Sequence, residues 1–125
     1  KVIPLETAME QAGILFESQT VEEQAAALVE NVKAEVEDDL SGEILDAYQK
    51  QDLKKLWKLS QDWDDSLGEM TLLLDDRNKK WIPKLKPLLD EGNTFIAVGA
   101  LHLPGEMGVL ELLKKEGYEV SPVNL

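Results

Sequence analysis

The chain has no cysteine, one histidine, and about half as many basic as acidic side chains: 13 Lys+Arg against 25 Asp+Glu in 125 residues. Without cysteine there are no disulfides, no thiolate zinc sites and no cysteine nucleophile, while the redox compartment stays open. A single histidine excludes a multi-histidine metal site inside one copy of the chain. The net charge of −12 argues against nucleic acid, whose phosphates demand a basic face. No apolar run approaches the roughly 20 residues that cross a bilayer, so no transmembrane segment is expected. What remains is enough for a core. Hydrophobic residues make up 43% of the chain, and its length suits one modest domain.

The acids are not evenly spread. Residues 1–50 hold 12 acids and 3 bases, whereas residues 51–125 hold 13 acids and 10 bases. The sequence opens at Lys1, without a methionine, on the apolar stretch Val2-Ile3-Pro4-Leu5. Such an opening reads as a processed or truncated start, where a signal peptide would not be visible.

Most of the chain has helical spacing. Thr7-Ala8-Met9-Glu10 and Thr20-Val21-Glu22-Glu23 both match the T-x-x-E capping box, in which hydroxyl and carboxylate satisfy orphan amides. After the second box, Val21, Ala25, Leu28, Val29, Val32 and Val36 form one apolar stripe. The opposite face is acidic and reads as a solvated exterior, since no calcium-loop pattern is present. Ser41 is placed to cap a third helix, and Leu53, Leu56 and Trp57 continue the pattern in a fourth. Polar connectors are expected at 39–42 and 61–65. From Leu67 to Leu89 the pattern is amphipathic but contains Pro83 and Pro87, which predict a kink or a restart.

Beyond Gly92 the character changes. Thr94-Phe95-Ile96-Ala97-Val98 is a short β-type run without polar alternation, expected as a strand covered on both faces. A helix is predicted from Glu106 to Glu116, stopped by Gly117, and a second strand over Tyr118-Glu119-Val120. The expected fold class is therefore α+β (α/β-like), with a helix-rich portion at 7–91 and a strand–helix–strand unit at 92–125.

Three points carry candidate chemistry. His102 lies in Gly99-Ala100-Leu101-His102-Leu103-Pro104-Gly105-Glu106, past the carboxyl end of the predicted strand, where α/β sheets place ligand crevices. Gly99 is expected to permit a sharp turn, and Gly105 a close approach at the helix start. Arg77-Asn78 follows two aspartates and precedes Trp81; the planar guanidinium suits a carboxylate or carbonyl oxygen. Glu6 stands between an extended apolar segment and the Thr7 cap. Each has a plainer alternative: a packing or capping histidine, a surface arginine paired to Asp75 or Asp76, and a first-turn acid favoured by the helix dipole.

Together these segments resemble the TraB/GumN family, also called TraB/PrgY, which includes the TIKI-type metalloproteases. Leu5-Glu6-Thr7-Ala8-Met9-Glu10-Gln11 is similar to its central L-E-T-x-x-E-Q segment, Arg77-Asn78 with Trp81 to its R-N-x-x-W block, and 95–106 to its second G-x-x-H motif. The similarity spans nearly the whole chain but only about the C-terminal half of a typical member, so 1–125 is expected to be a partial domain. It implies a metal-dependent hydrolase, a TIKI-like metallopeptidase in full-length form, acting on a peptide or protein outside the cytoplasm. It also implies roles: His102 as metal ligand or base, Glu6 as ligand or general base, Arg77 as substrate or transition-state stabiliser, Gly99 as loop former and Asn78 as orienting group. Manganese, cobalt or zinc is the implied divalent metal, one that suits imidazole and carboxylate ligands and could activate water. The family's first G-x-x-H is absent from these residues and is expected upstream of Lys1 or lost in a degenerate member. The fragment alone is then expected to be inactive, unless two copies pool their histidines in a homodimer. The alternative is a non-enzymatic peptide- or haem-binding, regulatory module.

Overall fold

The structure, a computed structural model, describes residues 1–17, 19–33, 40–63 and 71–123. It divides into two compact units, Lys1–Ser41 and Gly42–Leu125.

In the first unit both capping boxes form. The Thr7 hydroxyl accepts from the Glu10 amide at 3.1 Å while Glu10 accepts from the Thr7 amide at 2.7 Å, starting α1 (Ala8–Phe16). Thr20 and Glu23 repeat the exchange at 2.7 and 3.2 Å ahead of α2 (Val21–Lys33). That amide bond, the larger cause, and the Thr20 hydroxyl hold the Glu23 carboxyl below its usual range. The stripe on α2 is exposed, with Val21 at 76%, Leu28 at 64% and Val32 at 78%. Val36, the stripe's expected end, lies outside the described residues.

The third helix, α3 (Leu40–Gln49), starts one residue before Ser41, so Ser41 is inside the helix and not its cap. It ends on Gln51, whose φ of 57° sets the left-handed residue of a closing turn: the Gln51 amide donates to Tyr48 and the Asp52 amide to Ala47. Asp52 then accepts from the Lys55 amide at 2.9 Å and opens α4 (Leu53–Trp63). The connectors expected at 39–42 and 61–65 are helical wherever described, in α3 and α4. Residues 64–70 and the start of the predicted amphipathic stretch fall outside the described residues.

A π-helical turn, Thr71–Asp75, leads directly into α5 (Asp76–Asp90), which runs through both prolines without restarting at Pro83. Both prolines are on the exposed side, while Asn78, Trp81, Ile82 and Leu85 are buried on the other. The cost of each missing amide bond thus falls where water reaches the backbone, and the packed stripe holds the helix together. The core of this unit is Ala47, Leu56, Leu59, Leu74, Trp81, Ile82, Leu85, Val109 and Leu113. Burying each large member contributes roughly 1.5–3 kcal/mol.

The strand–helix–strand expectation is overturned, and with it the α+β class. Among the described residues there are six α-helices and no strand or sheet. Over 94–98, Thr94, Phe95 and Ala97 are exposed, Phe95 at 93%, and only Ile96 and Val98 are half-buried, so the run is not covered on both faces. β-propensity records how a residue fits a pleated, half-buried surface, and no second strand among the described residues supplies the ladder. Residues 118–120 are likewise without strand pairing. Between them, α6 (Val109–Lys115) is shorter than predicted, and Glu106 to Gly108 form the turn before it.

The C-terminal end of α6 is fastened to α5. Gly117, at φ 94°, lets the Tyr118 amide donate to Leu113 at 3.1 Å. The Tyr118 hydroxyl then donates its one hydrogen to Asp90 at 2.6 Å, with the Lys86 carbonyl oxygen 3.3 Å away, and Lys86 pairs with Glu116. The bond to Asp90, followed by desolvation and the charges of Asp90 and Glu116, pushes the phenol up to about 12. A folded value above the ordinary one of about 10 means that protonated Tyr118 stabilises the fold fully below pH ~10, an effect lost as pH rises through ~12. In a tyrosinate absorbance titration, the difference between wild type and Tyr118→Phe should show one group ionising near pH 12. Ionisation of Tyr118 in the ordinary range of about 10 would contradict this clamp.

Candidate functional site

The buried stripe of α5 contains one polar residue, Asn78, only 1% exposed. Burying an unbonded amide is costly, and here every polar atom of the side chain has a partner. The Asn78 Nδ2 donates to the Met107 carbonyl at 2.9 Å and to the His102 carbonyl at 3.3 Å. Its Oδ1 lies 2.8 Å from His102 Nδ1. One side chain thus holds the loop between the former strand region and α6 at two points, His102 and Met107. Rotating the amide by half a turn would set its oxygen against two carbonyl oxygens, at about 1–3 kcal/mol for each lost bond in a buried site. The orientation is therefore fixed.

His102 closes a 3-10 turn, Ala100–His102, with its amide donating to the Gly99 carbonyl at 2.9 Å. The residue is 7% exposed. Its ring packs on Trp81, with centroids 4.5 Å apart and planes at 45°. Trp81 in turn carries the Arg77 guanidinium, 5.2 Å from its ring centroid, and Arg77 Nη1 donates to the Leu73 carbonyl at 2.9 Å. Arg77 and Trp81 are four residues apart and Asn78 and Trp81 three, so all three share one side of the helix. The R-N-x-x-W block and the G-x-x-H block therefore meet through their own side chains. The neighbouring Asp76 pairs with Lys79 at 3.4 Å, and burial pushes the Asp75 carboxyl above its ordinary range, with Lys79 opposing and Asp76 adding.

Gly105 has the close approach expected of it, whereas Gly99 does not need the conformational freedom expected there. Gly99 has φ −59° and ψ 143°, a backbone open to any residue, and a Cβ there would meet His102 at an ordinary 3.5 Å. Gly105 and Gly108 are the demanding positions. Gly105 has φ 86°, and a Cβ would lie 2.6 Å from the Trp57 indole on α4. At Gly108 it would lie 2.1 Å from the Pro104 carbonyl oxygen. The loop around His102 is thus pressed between α4 and α5.

Arg77, Asn78 and His102 are brought together, with Gly99 at the base of the turn. Glu6 belongs to the first unit, where it precedes the Thr7 cap. Local patterning did not reveal Trp57, Met107 or Leu73; the last two act through backbone carbonyls, which carry no side-chain signature. Among the described residues no group of three or more His, Asp or Glu side chains gathers as a cation site. One imidazole held by a neutral amide does not amount to a divalent-metal site, so these residues do not fit a resident metal unaided.

A model of the TraB/PrgY/gumN family matches residues 1–122, nearly the whole sequence. The chain belongs to the TraB/PrgY/gumN family. No curated protein and no solved structure matches it. Within this TraB/PrgY/gumN chain, no helix of the described residues is long and apolar enough to cross a membrane.

The close approach at Gly105 is directly testable. Gly105→Ala adds a Cβ against Trp57 in a left-handed backbone, and should destabilise the fold by about 2 kcal/mol in urea unfolding. A variant as stable as wild type would contradict the packing described for this loop.

Proposed function

We propose that the whole protein is a hydrolase of peptide bonds, metal-dependent as the resemblance implies, with His102 at its centre. The observation that supports this is the Asn78–His102 bond, which joins the R-N-x-x-W and G-x-x-H blocks of the family in one buried cluster. In this reading His102 accepts a proton, and Asn78 and Trp81 hold its ring. The Arg77 guanidinium, steadied by Leu73 and Trp81, supplies positive charge for an oxygen that becomes negative during the reaction. Glu6 is a ligand or second base only by resemblance. A manganese, cobalt or zinc ion would, when bound, polarise a carbonyl and acidify water. The proposal extends to an extracytoplasmic site of action, and to a 125-residue chain inactive alone.

Peptide hydrolysis by the whole protein with Mn²⁺, Co²⁺ or Zn²⁺ tests the assignment. His102→Ala should lower kcat/KM by about 100-fold or more, the range a general acid–base group contributes. Unchanged hydrolysis in that variant would overturn it. No hydrolysis by wild type with any of the three ions would move the protein to the peptide- or haem-binding alternative.

A further inference from the structure

We infer that Asn78 is a positioning residue that decides which nitrogen of His102 is chemically active, placing the proton on Nδ1 and the lone pair on Nε2. The inference starts from the two carbonyls. Those of His102 and Met107 can only accept, so the Asn78 atom facing them at 3.3 and 2.9 Å must be the donating Nδ2. That leaves Oδ1 toward the imidazole, 2.8 Å from Nδ1. An amide oxygen can only accept, so Nδ1 must carry the hydrogen. In neutral imidazole the other nitrogen then holds the lone pair, which makes Nε2 the atom that takes a proton or a cation.

The surroundings keep this arrangement from relaxing. Asn78 is 1% exposed and His102 7%, so water cannot readily replace a broken bond on either side. Trp81 packs on the imidazole and opposes a ring flip that would exchange the two nitrogens. The orienting partner is neutral, unlike the carboxylate often found behind a functional histidine. An adjacent carboxylate would favour imidazolium, whereas the amide selects a tautomer without adding charge. The side chain therefore sets direction more than basicity. This follows from hydrogen-bond chemistry alone and stands apart from the hydrolase assignment, so the two can fail separately.

The chain has one histidine, so its ¹⁵N imidazole spectrum needs no assignment. The experiment is long-range ¹H–¹⁵N correlation on the histidine-labelled chain, at a pH where the ring is neutral. Wild type should show Nδ1–H in excess of Nε2–H by about tenfold or more, a ratio that one buried hydrogen bond sustains. That is the reverse of the preference of free histidine in water. Asn78→Asp keeps an acceptor at Nδ1 and should keep the Nδ1–H form, although its loss of two donations loosens the loop. Asn78→Ala removes the acceptor and should abolish the excess. A wild-type spectrum dominated by Nε2–H, or Asn78→Ala with the wild-type ratio, would overturn the inference. If Asn78→Ala does not fold, the wild-type ratio alone decides.

Discussion

One buried amide organises the second unit, Gly42–Leu125. Asn78 sits where helical spacing calls for an apolar residue, and it is tolerated only because both ends of its side chain are satisfied by the loop opposite. The dependence runs both ways. The loop from Gly99 to Gly108 has no sheet to support it among the described residues, and Asn78 fixes it at His102 and Met107. Trp81 below the imidazole and Trp57 against Gly105 complete its support. A polar network of this kind contributes only when complete, because a buried partner left unbonded costs about 1–3 kcal/mol, more than the roughly 0.5–1.5 kcal/mol that a typical bond contributes.

What could be read from the sequence was local. Both capping boxes follow from Thr and Glu three residues apart, and both form. The stops at Gly92 and Gly117 are likewise set within a turn of the chain. Arg77, Asn78 and Trp81 have spacing that puts them on one side of a helix, so their clustering was legible before their partner was known. Partnership over distance was not. The contact of Asn78 with His102 spans 24 residues, and Gly105 signals a close approach without naming Trp57 as the group that makes it.

Packing over distance also overrides local composition. Thr94 to Val98 has the composition of a buried strand, yet composition describes a surface to be fitted and not the neighbour that fits it. Phe95 remains 93% exposed and the α+β class fails with it. Pro83 and Pro87 predict a kink or a restart; α5 does not restart at Pro83, because both prolines face outward on a helix pinned along its inner side. Gly99 gives the motif its letter, but Gly105 and Gly108 carry the steric demand. The match to the TraB/PrgY/gumN family runs over residues 1–122, and its two motif blocks meet at Asn78 and His102.

The Asn78 and His102 side chains act on the stability of the fold as one unit. A double-mutant cycle over Asn78→Ala, His102→Ala and the pair, followed by urea unfolding, measures this directly. A coupling energy of about 0.5–3 kcal/mol is expected, as for residues within one buried hydrogen-bonded network. Two losses that simply add, within about 0.3–0.5 kcal/mol, would show that the contact contributes nothing of its own and contradict the account.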